Sequence, residues 1–377
     1  MRKPDVIVIG AGIAGLSLAA AISSRARVMV IEAESAPGYH ASGRSVAFAH
    51  FGLGDGIVRT LTAMSMNALA RGTGPGDAPF AQVHPALHLA RRDQRDRLDW
   101  LAQVHQRFVR KSIRLSGEEA RTLLPILKVG PEQCYEALLD TEALKLDTDA
   151  MLQAHRRDLL RAGGEVLTGA RVSAIGREKG LWHVETPRGP VFAPVLVNAA
   201  GAWADVIARL AGVTPIGIEP RRRTVIALRT PGFSDVANWP FAKTVGEGFY
   251  VLPEGKGRLL ASAMDETASD PCDAVPEEID VALAAHRITS ATDLAVRHIP
   301  HSWAGLRSFA PDELPVVGFS RDAPGFFWFA GQGGFGFQTA PALARAGAAL
   351  LEGRAWPAAL EAAGISAPMI APARLGA

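Results

Sequence analysis

The chain of 377 residues carries only two cysteines, Cys134 and Cys272, and no CxxC or Cys/His cluster surrounds either one. A disulfide framework and a metal site are therefore not expected. Charge of one sign is equally scarce: 40 Lys and Arg against 38 Asp and Glu leave a formal net charge of +2. That balance implies no polyanionic partner, and no nucleic acid. The densest charge run, "ARRDQRDRLDW" from Ala90, mixes both signs at helical spacing and reads as a solvated helix face. No apolar run reaches bilayer length; the one from Leu16 to Ile22 is too short, so no integral membrane segment is expected. The N-terminus enters an apolar strand within five residues, which leaves no room for a signal peptide and suggests a cytoplasmic protein.

Hydrophobic residues make up 48% and charged residues 21%, an ordinary balance for a globular chain with a sizeable core. "DVIVI" (5 to 9) is a short apolar run ending in glycine, the pattern of a buried parallel strand. Gly10, Gly12 and Gly15 follow, then an Ala/Leu/Ile-rich helix, then a second apolar strand, "RVMVIEAE", that carries Glu32. The GxGxxG spacing thus sits in the strand–turn–helix context it requires, and a dinucleotide is the expected ligand. Gly10 permits a tight exit from the strand, Gly12 lets backbone approach a pyrophosphate, and Gly15 lets the helix pack closely. The helix N-terminus offers N–H groups to phosphates, and Glu32 is placed to accept hydrogen bonds from ribose hydroxyls.

Two later segments, "VLVNAAGAWADVIARLAGV" (195 to 213) and "GFFWFAGQGGFGFQTAPALARAGAALLEG" (325 to 353), have the same strand–turn–helix texture. They read as further strands of one sheet separated by long insertions. The insertions differ in kind: "RRRTVIALRT", "GFYVLP" and "RLLASAM" alternate as antiparallel strands do. The expected organisation is a cofactor domain from residues 1–78, 146–216 and 310–377, interleaved with a substrate domain from 79–145 and 217–309.

A simple nicotinamide dehydrogenase would follow the acidic strand with another ordinary β-α unit. Here "APGYHASGRSVAFAH" (36 to 50) supplies Gly38, Ser42, Gly43, Arg44 and Ser45, a polar stretch suited to wrapping an extended cofactor. "GQGGFGFQTAP" adds a second cradle at Gly331, Gly333, Gly334 and Gly336, leading into a helix whose N-terminus favours developing negative charge.

With "VIGAGIAG", "PGYHASGRS", "LVNAAGAW", "PRRRT", "GFYVLP", "WAGLRSF" and "QGGFGFQT", the chain resembles the D-amino acid oxidase superfamily of FAD-dependent oxidoreductases nearly end to end. Within that superfamily it looks most like the bacterial D-arginine dehydrogenases. The resemblance implies an α/β fold (α+β overall), in which a Rossmann-like FAD-binding domain of the glutathione-reductase type interleaves with a mostly antiparallel substrate domain. It implies elongated FAD, held noncovalently because no cysteine lies where covalently flavinylated relatives carry theirs. It extends the cofactor contacts to Ile13, Ala14 and Ala33 near the fingerprint, and to Val172, Ala200, Gly201 and Trp203 in the middle of the chain. Gly305, Phe337 and Gln338 complete them.

Amine oxidation by a flavin leaves the protein to orient substrate and exclude water. An α-carboxylate is the natural handle and guanidinium its bidentate clamp. In "PRRRTVIAL" strand alternation sets Arg222 opposite to Arg221 and Arg223, so Arg222 is the candidate facing a site, against a reading of all three as surface charge. Arg307, hedged by apolar residues in "SWAGLRSFAPDELP", is either a structural ion pair or the second arm of the clamp. The resemblance places both arginines on carboxylate-binding positions, sets Tyr250 beside them as a hydroxyl donor, and gives Gly334 backbone groups facing substrate or flavin. On the side-chain half of the pocket, Phe48, Leu53 and Ala86 stand where the D-arginine-acting relatives carry polar and acidic residues. An apolar side chain is therefore expected, with His50 and His84 as nearby polar groups. "HFGLGDG" (50 to 56) reads as either a mobile lid or an ordinary turn.

The leading expectation is a D-amino acid dehydrogenase or oxidase acting on a small amino or imino acid, with its electron acceptor (O2, a quinone or another) left open. A glycine- or sarcosine-type amine oxidase and a 2-hydroxy acid dehydrogenase are the alternatives of the same fold. The last would need a histidine base, for which His50 is the candidate. A non-catalytic flavin- or NAD-binding protein would have no need of both arginines.

Overall fold

A computed structural model describes residues 4–108, 111–255 and 257–376. Its first layer is a six-stranded sheet in the order Val316–Phe319, Phe326–Ala330, Val195–Asn198, Val6–Ile9, Val28–Ile31, Glu165–Leu167. All neighbouring pairs are parallel except the first, which is antiparallel. The central strands read as continuous apolar runs because both faces are covered. Val6 and Val8 pack with Leu16, Phe327, Phe329 and Leu343 on one side. Ile7 and Ile9 pack with Trp182, Leu196, Phe326 and Trp328 on the other. The helix Ile13–Ile22 is apolar all round because it is sandwiched between this sheet and the helices Thr148–Arg161 and Gly336–Leu351.

The second layer is a nine-stranded, mostly antiparallel sheet. Its longest pairing joins Glu219–Arg229 to His301–Phe309, and its one parallel contact sets Phe241–Thr244 beside Ala86–Ala90. One face, with Leu87, Leu89, Ile226, Leu228 and Val251, is buried under helices that include Glu278–Ala291. The other face, with Ala86, Val225, Ala227, Phe241 and Tyr250, turns toward Phe48 and the first layer. Every strand of the six-stranded sheet lies within 1–78, 146–216 or 310–377, and every strand of the nine-stranded sheet within 79–145 or 217–309. On that distribution we propose the division into a cofactor and a substrate domain. A small sheet of Phe48–Ala49, Leu144–Leu146 and Ala81–Val83 stitches the two together.

The tightest packing in the first layer is at Gly15, where an added Cβ would fall 1.9 Å from the Gly10 carbonyl oxygen. The obstacle is backbone, which cannot rotate away. Gly15→Ala should therefore cost at least about 1–3 kcal/mol, the usual range for overpacking. The loss should appear as a lowered urea midpoint together with weaker FAD retention; an unchanged midpoint would contradict this close contact.

Candidate active site

Two joined cavities run between the layers, with empty volumes of about 1140 Å³ and about 1040 Å³. Gly12, Ser42, Arg44, Gly201 and Gly305 border both, so the space is a single elongated cleft. Its first half is walled by Gly10, Glu32, Ala33, Val172, Ala200 and Trp203. The second half is walled by Ile13, Ala14, Ser45, Phe48, Arg223, Tyr250, Arg307 and the loop Gly331, Gly333, Gly334, Gly336, continuing to Phe337 and Gln338.

At the first half, Glu32 accepts hydrogen bonds from the Ala11 N–H at 2.7 Å and the Glu34 N–H at 2.9 Å, which pins its carboxylate at the end of the strand. The helix Ile13–Ile22 begins at Gly12 with no side-chain cap and no acidic residue in its first turn. Ser42 Oγ accepts from the Ile13 N–H at 3.0 Å and borders the same space. The result is a helix end with no acidic side chain over it and a hydroxyl at its first N–H, next to a fixed carboxylate, which suits a pyrophosphate followed by a ribose. Arg44 donates to the carbonyls of Ala274 and Ala304 and pairs with Asp273, tying the polar stretch of 36–50 to the second layer. Gly43 does not reach the cleft; its N–H closes a turn onto the Gly38 carbonyl at 2.6 Å.

The far end of the cleft corrects the arginine assignment. Arg222 faces away from the cleft: its Nε donates to Asp280 at 2.9 Å and its Nη1 lies 2.6 Å from Glu277, both at the start of Glu278–Ala291. Arg223 takes the cleft-facing position. Alternation along Glu219–Arg229 does set Arg222 opposite its neighbours, but the register pairs Arg221 with Arg307 and Arg223 with Gly305. Directly opposed residues share a face, so Arg223 and Arg307 lie together. Arg223 donates to the Asp265 carbonyl at 2.7 Å and to Glu266 Oε1 at 2.7 Å. Arg307 Nη1 stands 3.5 Å from the same Glu266 oxygen. The two guanidiniums thus share the Glu266 carboxylate, and Arg223 Nε also lies 3.9 Å from Asp265 Oδ1. Burial, and then the Arg223 charge, push Arg307 down to about 10, which still leaves it ionised near neutrality. An added Cβ at Gly334 would sit 2.7 Å from Arg307 Cζ, so glycine lets that loop lie against the guanidinium without displacing it. Tyr250 is buried on the same wall, and burial pushes its phenol up, keeping the hydroxyl a donor.

The apolar part of the wall is Phe48 and Val225, with Phe48 stacked on Phe241 at 4.6 Å between ring centroids. Ala86 and Leu53 are not on the wall: Ala86 is fully buried behind Phe48 and Phe241. His50 is also behind it. Its Nδ1 accepts from the Gly52 N–H at 3.0 Å, and its backbone N–H reaches Gln338 Oε1 at 3.4 Å. His84 bonds the Trp239 carbonyl at 2.9 Å. The segment 50–56 is anchored, with Arg59 Nε donating to the Phe51 carbonyl at 2.9 Å and Asp55 capping the helix Gly56–Arg71.

The chain matches the family model for FAD dependent oxidoreductases over residues 5–350, and it belongs to that family. Its cofactor is FAD. Over 216 residues it is 26% identical to hydrogen cyanide synthase subunit HcnC of Pseudomonas aeruginosa, a match covering 56% of this chain and 49% of that protein. The chain therefore spans about half the length of that curated relative. In fold it is similar to an L-proline dehydrogenase from P. horikoshii, with a TM-score of 0.84, 21% identity, and coverage of 100% of this chain and 98% of the other. It is likewise similar to a glycine oxidase from Geobacillus kaustophilus, with a TM-score of 0.79, 21% identity, and coverage of 94% and 96%.

Behind the site, His50, His88 and His105 stand in a row with ring centroids 5.4 Å apart, the first pair tilted and the second edge-on. Burial pushes His50 and His88 well below their ordinary range, and His105 down to about 4. Between about pH 6.5 and 4 an unfolded chain binds a proton at His105 that the folded chain refuses, so stability is lost as pH falls through that window. The His105 contribution is on the order of 3 kcal/mol. Neither ring nitrogen of His105 has a hydrogen-bond partner among the described residues, so His105→Leu strands no other group. Melting temperatures at pH 7 and pH 4.5 should diverge less in that variant than in the parent. Equal divergence in both would reject the assignment.

Proposed function

We propose that the chain oxidises a small α-amino or imino acid, holding its carboxylate between Arg223 and Arg307 with the Tyr250 hydroxyl as a third donor. The observation that carries this reading is the placement of two guanidiniums on one face at the end of a cofactor cleft, both within reach of the Glu266 carboxylate. FAD, when bound along the cleft, supplies the oxidising power by accepting a hydride from the substrate α-carbon. Glu32, the Gly12 helix end and Ser42 would hold its adenosine and pyrophosphate portions, and the loop 331–338 its ring portion. We read the binding as noncovalent, since Cys272 borders the half assigned to adenosine and Cys134 is buried in the other sheet's core.

The protein's task is then positional. The clamp fixes the carboxylate, the stacked Phe48 and Phe241 exclude water from the side-chain side, and the neutral Tyr250 phenol donates without adding charge. A cationic side chain would meet no carboxylate on the Phe48 and Val225 wall and would face Arg223 and Arg307, so a neutral apolar side chain is the fit. Within that class we propose the D series, which rests on the motifs shared with D-amino acid oxidising enzymes; a secondary amine is the second reading, prompted by relatives named for proline and glycine. The hydroxy acid reading loses its base, because His50 is not on the wall.

Arg223→Ala and Arg307→Ala should keep FAD and weaken substrate binding by about 2–5 kcal/mol, the usual cost of truncating one partner of a desolvated charge pair. Arg222→Ala should leave substrate affinity intact but destabilise the fold, since it abandons the buried Asp280. Anaerobic flavin bleaching with matched D, L and N-methyl amino acids checks all three variants. Loss of affinity only in Arg222→Ala would overturn the clamp.

The same stopped-flow panel tests the side-chain preference. Neutral apolar substrates gain roughly 0.8 kcal/mol per buried methylene, so they should exceed arginine and lysine of the same configuration in kcat/KM. Faster reduction by the cationic substrates would refute an apolar wall.

A further inference from the structure

Beside the substrate end of the cleft lies a third cavity, about 430 Å³ in empty volume, with walls formed by His88, Arg97, Trp100, Leu101, Lys243 and Val245. Its chemistry is one-sided: two cations, one histidine, three apolar residues and no acid. Neither Lys243 nor Arg97 forms an ion pair with a carboxylate among the described residues; the Lys243 ammonium donates only to the Thr244 carbonyl, at 3.1 Å. His88 is 1% exposed, and its Nε2 has no partner among the described residues. A buried ring nitrogen without a partner and an ammonium without a carboxylate, both on the wall of one cavity, leave a place for an anion that the described residues do not supply.

We propose that this cavity is a second binding site, for a small organic carboxylate that carries no ammonium group. The carboxylate would lie between Lys243, Arg97 and the His88 ring, and a short apolar body would lie along Trp100, Leu101 and Val245. An amino acid is disfavoured there because its ammonium would meet the two cations, whereas a simple carboxylate or a 2-oxo acid brings only the complementary charge. Desolvation, helped by Arg223 and Arg307, pushes Lys243 down to about 8, and a bound anion relieves that cost. The site also has a route to the first one. Gly52 lines the cavity, an added Cβ there would lie 2.7 Å from the His88 ring, and two residues before it stands His50, hydrogen-bonded to Gln338 of the substrate wall. On the proposed function, a 2-oxo acid is the chemical class that imine hydrolysis yields, so the cavity would take the deaminated product class rather than the substrate. That last step alone rests on the amino acid reading; the carboxylate site itself does not.

The test uses the FAD-bound Arg307→Gln variant, in which the substrate clamp is weakened, titrated by calorimetry with isobutyrate, 3-methyl-2-oxobutanoate, valine and chloride. Isobutyrate and the oxo acid should bind at one site per chain, with valine and chloride at least tenfold weaker. Adding Lys243→Met should abolish that binding, and adding the exposed Arg97→Gln should weaken it about tenfold, with FAD absorbance in each variant certifying the fold. Absence of carboxylate binding, indifference to both substitutions, or equal binding of valine or chloride would overturn the proposal. Flavin reduction by amino acids in the parent enzyme is read separately, so failure of the activity and failure of this site are distinguishable.

Discussion

The site depends first on one register, the antiparallel pairing of Glu219–Arg229 with His301–Phe309. It opposes Arg221 to Arg307 and Arg223 to Gly305, so Arg223, Arg307 and the glycine that borders both halves of the cleft share a face. A slip of one residue would exchange the faces. Arg223 would then be driven toward Asp280, and Arg222 would be left against the cofactor. The register is held from the other side by Arg222 itself, whose ion pairs with Asp280 and Glu277 fasten the strand to Glu278–Ala291. Two residues further along, the Thr224 N–H adds a buried contact by donating to the Asp265 carboxylate. The residue that does not touch the cleft therefore keeps the one that does in place.

The first layer imposes a complementary constraint. Its sheet must bury both faces, which leaves room for a ligand only at the carboxyl ends of the strands, where chain connections leave the sheet. Gly10, Glu32 and the turn at Ala200–Gly201 all sit at such ends. The second layer closes over them through Arg44, whose guanidinium is shared between the carbonyls of Ala274 and Ala304. The cleft is elongated because it follows this seam between two sheets rather than a hollow in either one.

Much of this was legible in the chain because it rests on local rules. The glycine spacing, the apolar run before it and the acid after it are local requirements confined to about thirty residues: Val6–Ile9 is a buried strand, Gly10, Gly12 and Glu32 line the cleft, and Gly15 serves packing. The contrast between continuous apolar strands and alternating ones separated the parallel sheet from the antiparallel one. The face of Arg222 was not legible, because the expected alternation breaks down at "VIAL" (225 to 228), which is apolar at every position with both faces of the strand buried. Alternation states that neighbours differ; it does not state which one faces the ligand. That choice is made by a partner strand about eighty residues away. Ala86 and Leu53 failed for the same reason: position in a motif placed them near the pocket, whereas cross-strand neighbours Phe241 and Asp140 place Ala86 behind its wall.

Charge balance links the separate features. The Arg223 charge lowers the proton affinity of Arg307, and both arginines lower that of Lys243, while the nearest acids are Glu266, shared between the two arginines, and Asp265, which accepts from the Thr224 N–H and lies 3.9 Å from Arg223 Nε. Burying like charges without full pairing is costly in a fold of marginal stability. The region is tolerable because each cation borders a cavity rather than a packed core, so solvent or a ligand can meet it. The same geometry makes an anion the species whose arrival releases the most strain. The carboxylate clamp proposed for this end of the cleft would thus follow from how the strands are paired: backbone register brings three cations to one seam, where the described residues set Glu266 and Asp265 against them.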